Sequence, residues 1–245
     1  MADKRQIAII LYPGMTALDA LGPYEVLKLL PDSELRLVAD EPGPVMTDRD
    51  ALIIGATHSF EETPHPFLIL APGSEANTTS AMADGRLLAW LKQAHETSTM
   101  TASVCSGALI LAAAGLLEGQ RATTHWWAQA SLSRFGATAV PDRRIVRSGK
   151  IWTAAGVSAG LDLALELFAE IAGQEAAEVA QLMIEYDPHP PFNSGHPSKA
   201  TEAVREKAAA ELARLARNPR DFISVPKVLW RQAIDRSRRA MKART

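Results

Sequence analysis

A chain of 245 residues with a net charge of −2 and 47% apolar residues can bury a substantial core, and nothing in its overall charge marks it as a nucleic-acid or membrane binder. Its single cysteine excludes an internal disulfide and fits a reducing, cytoplasmic setting. The first residues carry no secretory apolar core, and no apolar run approaches the ~18 residues needed to span a bilayer.

Residues 6–11 predict a buried strand, punctuated by Tyr12-Pro13-Gly14. Residues 15–23 read as a turn leading into a helix over 24–30. Residues 34–39 alternate as a second strand, and 41–44 turn the chain towards a small hairpin of Val45 and Met46 with 52–54. A third strand over 67–70 ends at Ala71-Pro72-Gly73-Ser74. A helix over 87–95 then leads into 99–104, a β-branched, uncharged strand. From Ala108 the sequence is a strong helix former, with Gly115 as its stop.

Residues 121–127 precede a helix that runs to Arg134. Residues 137–140 and 144–146 are extended, and Ser148-Gly149 turns into a strand over 150–153. Residues 156–160 open a long helix with Leu161, Leu165 and Phe168 at helical spacing. Gly173 breaks it, and 176–186 is helical again. This alternation predicts an α/β fold whose mostly parallel central sheet carries helices on both faces. The Pro-rich stretch 187–197 is a loop that either caps a pocket or packs on a partner subunit. An amphipathic helix over 201–217 ends at Asn218-Pro219. The tail beyond it holds Lys227, Arg231, Arg236, Arg238, Arg239, Lys242 and Arg244. With Trp230 its only tryptophan, that tail reads as a solvated terminal helix, and nucleic acid is not an expected partner. Residues 1–198 are thus assigned to an α/β domain and 199–245 to a helical extension with a basic tail.

The chemistry is expected at Cys105, on an elbow between the strand and the helix that follows it. There the amides of Ser106 and Gly107 are free to point at sulfur, and the helix dipole favours negative charge, so the thiol is expected to be acidic and nucleophilic. The alternative is a buried structural cysteine. Asp19 is the second candidate, in an apolar stretch one turn past the first strand. Central parallel strands converge at their carboxyl ends, so Asp19 and Cys105 should meet and titrate as a pair, a nucleophile beside a proton donor. The alternative for Asp19 is a helix N-cap.

Ser106 offers a hydroxyl and an amide. Gly73 and Ser74 follow a strand end and offer oxyanion-hole amides. Thr153 and Gly156 follow another strand and are expected to line the crevice. His125 reads as a packed helix-start histidine. No metal or nucleotide site is expected. The six histidines form no H-E-x-x-H pair, and no G-x-G-x-x-G or P-loop is present.

The Cys105 elbow, the Leu18-Asp19 turn and Arg121-Ala122-Thr123-Thr124-His125-Trp126 resemble the ThiJ/PfpI superfamily, and within it the isocyanide hydratases. That family has a Ser-Val-Cys-Thr-Gly elbow, a Leu-Asp turn followed by Gly-Pro, Ala-Thr-Thr-His-Trp, and a Pro-Pro-Phe-Asn-x-Gly loop. Here these stand at 103–107, 18–23, 122–126 and 191–195. The resemblance covers roughly residues 5–200 and implies a flavodoxin-like sandwich, a small-molecule substrate and a homodimer. It also implies hydration of an isocyanide to an N-substituted formamide through a cysteine thioimidate, with no metal or organic cofactor. By the same resemblance Cys105 is the nucleophile and Asp19 the general acid/base. Ser106 stands where the family has a threonine, and Gly73-Ser74 where many relatives have two glycines.

Other members of the superfamily supply rival readings. The ligand-sensing modules fused to AraC-type regulators carry similar elbows, but the 48 residues after Pro197 are too few for two helix-turn-helix units. Superfamily peptidases place a histidine after the nucleophile, where this chain has Ser106. Glyoxalase and redox-sensing relatives usually have Glu where Asp19 stands.

Overall fold

The computed structural model describes residues 4–216 and 221–242. In chain order the first half comprises β1 (Arg5–Ile10), α1 (Ala17–Leu27), β2 (Ser33–Ala39), β3 (Gly43–Met46), β4 (Ile53–Ala56), β5 (His58–Ser59), β6 (Leu68–Ala71), α2 (Thr78–Ala83), α3 (Gly85–Thr97), β7 (Met100–Ser103) and α4 (Gly107–Ala113). There follow β8 (Arg121–Ala122), α5 (Gln129–Leu132), β9 (Thr138–Ala139), β10 (Ile145–Ser148), β11 (Ile151–Ala154), α6 (Ala159–Ala172), α7 (Gln174–Met183), α8 (Glu202–Leu215) and α9 (Asp221–Lys242).

Seven strands form the central sheet in the order β10-β11-β7-β6-β1-β2-β5. All neighbours run parallel except β10, which pairs antiparallel with β11. Every residue of β6, β7 and β11 is buried, so side chains pointing to either face of the sheet are covered. That is why these segments read as uninterrupted apolar runs rather than as an alternation. The expected α/β, flavodoxin-like sandwich with a mostly parallel sheet is the observed architecture.

The parallel arrangement brings the loops after β1, β6, β7 and β11 to one edge, where they are tied together. Val104 N–H donates to Ala71 O at 3.0 Å and Cys105 N–H to Ala155 O at 2.8 Å. The Tyr12 hydroxyl donates to Pro72 O at 3.1 Å. At the opposite edge, the Lys150 ammonium takes the carbonyls of His95, Glu96 and Ser98 at the carboxyl end of α3.

From Ala17 onward the segment expected to turn over 15–23 is helical instead. α1 begins at Ala17 and carries Pro23 inside it. Pro23 has no N–H to give to the carbonyl four residues back, so local propensity argues for a break there. Packing overrides it, because α1 crosses α6 where Gly160 lies beneath the proline ring, a Cβ at 160 falling 3.2 Å from Pro23 Cδ. The Pro-rich stretch 187–197 is irregular as expected and lies open, with Phe192 78% exposed.

The tail is only partly a solvated helix. One side of α9 docks on α2 through buried Ser224 and Val228, and Arg231 donates to Met82 O, while Trp230 is 71% exposed. Asn218-Pro219 and the side chains of Arg236, Arg238, Arg239, Lys242 and Arg244 lie outside the described residues.

Candidate active site

Cys105 follows β7 at the elbow into α4 with φ +57°, a left-handed conformation that costs a non-glycine residue about 1–2 kcal/mol. The elbow is held on both flanks. Its amide is bonded to Ala155 O, and its carbonyl accepts from the Thr124 hydroxyl at 2.7 Å. Thr124 is in turn braced by Gln129, whose side-chain amide donates to Thr124 O and to the Thr123 hydroxyl. The elbow also presses α4 onto the end of β6. A Cβ at Gly107 would fall 2.2 Å from Ala71 O, so only glycine fits there.

Asp19 sits in the first turn of α1, fully buried, with its carboxyl beside the Cys105 thiol. The structure therefore brings together the two residues expected to meet. Asp19 is not a helix cap: one oxygen, Oδ2, accepts from Gly73 N–H at 2.8 Å, and Oδ1 is buried without a partner. Burial raises its pKa from 3.8 to about 7. The bonds from Gly73 and Cys105 oppose the rise, and the Asp48 charge adds to it.

The expectation of an acidic thiol is overturned. Burial pushes Cys105 well up, and the Asp19 charge pushes it further. The amides of Ser106 and Val157 and the Ser106 hydroxyl act in the opposite direction without winning. Desolvation outweighs the helix end here because Cys105 is only 6% exposed. Of the two amides expected to face sulfur, Ser106 does so, whereas Gly107 N–H is given to Val104 O. Val157 supplies the other. It lies some fifty residues on, in the loop after β11, and no local motif marks it.

The oxyanion-hole role expected of Gly73 and Ser74 is not open to their amides as they stand. Gly73 N–H is spent on Asp19, and Ser74 N–H donates to the Ser106 hydroxyl at 2.9 Å. Gly73 is required by close approach, since a Cβ there would lie 2.6 Å from both the amide nitrogen and the hydroxyl of Ser106. Ser106 keeps its place beside the cysteine, but its hydroxyl is shared with Ser74 O at 3.1 Å and with the Thr78 hydroxyl at 2.7 Å.

Thr153 does not line the crevice. It is fully buried within β11, where its hydroxyl accepts from Thr123 N–H at 2.9 Å. Gly156 is covered by the ring of His125, a Cβ there falling 2.6 Å from His125 Cδ2. His125 is the packed histidine expected, and burial lowers its pKa. Tyr12, which reads from sequence only as part of a turn, and Thr78 also lie near the pair, and neither belongs to a recognisable motif. Among the described residues no group of three or more His, Cys, Asp or Glu side chains is placed to hold a metal ion.

The arrangement places a thiol beside a carboxyl that burial holds near neutrality, in a nearly dry site. A carboxyl poised near neutrality can both give and take a proton, and a thiol that loses its proton can attack an electrophile.

Known proteins resemble this chain over most of its length. The profile of the DJ-1/PfpI family matches residues 5–170. An isonitrile hydratase of Pseudomonas putida is 41% identical over 208 residues, covering 85% of this chain and 90% of that protein. The crystal structure of a ThiJ/PfpI family protein from Pseudomonas syringae superposes with a TM-score of 0.84 at 37% identity, over 94% of this chain and 90% of the other. The HTH-type transcriptional regulator CdhR of Pseudomonas aeruginosa is 34% identical over 92 residues, covering 37% of this chain and 27% of the regulator.

Proposed function

The chain belongs to the DJ-1/PfpI family, and from that premise we propose that it is an isocyanide hydratase, a hydro-lyase that converts R–N≡C to an N-substituted formamide. The observation that carries the reading is the buried pair itself, a thiol beside a carboxyl that burial raises to a pKa of about 7. The likeness to the Pseudomonas putida isonitrile hydratase supports the choice of substrate class.

In the proposed mechanism Asp19 accepts the Cys105 proton and sulfur attacks the terminal carbon of the isocyanide. The same proton then passes from Asp19 to that carbon, leaving a thioimidate, Cys105–S–CH=N–R. Asp19, again a carboxylate, takes a proton from water as its oxygen adds to the carbon, and hands that proton to the substrate nitrogen. Collapse of the adduct breaks the C–S bond, releases R–NH–CHO and returns the hydroxyl proton through Asp19 to the thiol. Atoms balance with one water consumed, and no cofactor is invoked. A site this dry suits the chemistry, because each transferred proton stays between two groups instead of equilibrating with solvent.

The test is formamide production from a simple aliphatic isocyanide. Cys105→Ala, confirmed folded by circular dichroism, should make none, and turnover by that variant would remove the scheme. A ligand-sensing role is the second reading, favoured by the partial likeness to the CdhR regulator. It predicts no formamide from the wild type and a salt-dependent shift of DNA. We also propose a cytoplasmic homodimer. Among the described residues no helix is long and apolar enough to cross a membrane.

A further inference from the structure

The net charge of the chain conceals an asymmetry. α9 holds six lysines and arginines against two aspartates, whereas the whole chain carries −2, so the remainder is acidic on balance. The helix is also two-sided. At about 100° per residue, Ile223, Pro226, Leu229, Trp230, Ala233 and Ile234 share one sector of about 140°, and no charged residue of α9 falls in it. The face that holds α9 on the body lies opposite. There Ser224 and Val228 are buried, the helix packs on α2, and Arg231 donates to Met82 O.

Docking on the body therefore turns the apolar sector outward. Ile223 is 66% and Leu229 58% exposed, and Pro226, Trp230 and Ala233 are exposed beside them. Lys227, also exposed, borders the sector seven residues before Ile234. A contiguous apolar stripe of this kind on a folded surface marks a contact site.

What covers this face must be apolar in the middle and negative at the margins. Nucleic acid satisfies the basic residues but leaves Ile223, Leu229 and Ile234 in water. A second copy docked two-fold through the same face buries the stripe but sets basic residues against basic residues. An anionic bilayer surface meets both demands. It takes aliphatic side chains and the indole at the headgroup boundary, while its phosphates face lysine and arginine. The 22 residues of α9 would extend about 33 Å along that surface, and among the described residues no helix is long and apolar enough to cross a membrane.

We propose that α9 is a membrane-docking helix that lies in the surface of an anionic phospholipid bilayer, inserting Ile223, Leu229 and Trp230 while α2 holds its opposite face. The test is flotation of the full chain with vesicles of phosphatidylcholine alone or with about 30% phosphatidylglycerol. The protein should float with the anionic vesicles at low salt, and bind about tenfold more weakly to the neutral vesicles or at about 0.5 M salt. Trp230→Ser should weaken anionic binding about tenfold and Lys227→Gln about fivefold, with the fold of each variant confirmed by circular dichroism. Absence of flotation with the anionic vesicles overturns the proposal, as does equal binding to both lipids or binding that Trp230→Ser leaves unchanged. A dimer that Trp230→Ser dissociates, without flotation, overturns it in favour of a second copy, and DNA retardation without flotation does so in favour of nucleic acid. Neither Cys105 nor an isocyanide enters the assay, so its result is separate from the success or failure of the hydratase reading.

Discussion

Asp19→Asn is the substitution whose effect the structure predicts most directly, because it acts on stability as well as on chemistry. Asparagine keeps a carbonyl for Gly73 N–H and places its amide where Oδ1 is buried without a partner. It removes the charge. In the folded protein the carboxyl titrates at about 7, against 3.8 ordinarily. Between those values the folded state holds a proton that the unfolded chain has released. A raised carboxyl therefore favours folding fully below about pH 4, and that contribution is lost as pH rises through about 7. At 1.36 kcal/mol per pKa unit the loss reaches about 4 kcal/mol, of which about 2–3 falls between pH 5 and pH 8. Cys105 and Tyr12 are both pushed upward and stay neutral throughout this window. The assay is urea unfolding of both proteins at pH 5 and pH 8, comparing the gap in unfolding free energy. Asp19→Asn should gain on the wild type by about 2–3 kcal/mol at the higher pH, while producing no formamide. Parallel pH profiles would refute the argument that burial dominates this carboxyl.

Three further substitutions test the framework around the pair. Gly107→Ala drives a methyl to 2.2 Å from Ala71 O and should cost about 3 kcal/mol or more in chemical denaturation. Thr124→Val removes the hydroxyl on the Cys105 carbonyl and should cost about 1–3 kcal/mol, read by the same assay. Lys150→Met removes the cation from the carboxyl end of α3 and should destabilise by about 1–2 kcal/mol in urea unfolding. Because Lys150 adds to burial in lowering the His95 pKa, the same variant should raise it, measured by NMR titration of the ring.

Much of the fold was legible in the chain because it depends on local pattern. Uncharged β-branched runs alternating with helix formers specify a parallel sheet, and Pro-Gly clusters mark the strand ends. The meeting of Asp19 with Cys105 followed from topology, since parallel strands must end on one side. α1 was misjudged at Pro23 because what decides that helix is Gly160, more than a hundred residues further on.

The site divides along the same line. Residue types and spacing by themselves determined which sulfur and which carboxyl face each other. Only the tertiary structure decided the sign of the cysteine's shift, because desolvation sums over everything packed around Cys105 and outweighs the neighbouring amides. It also decided the ownership of the amides, giving Gly73 to Asp19 and Ser74 to Ser106, and it brought Val157, Thr78 and Tyr12 to the elbow. A local pattern carries propensity and periodicity. Hydrogen-bond partners and burial belong to groups that become neighbours only when distant segments fold against each other.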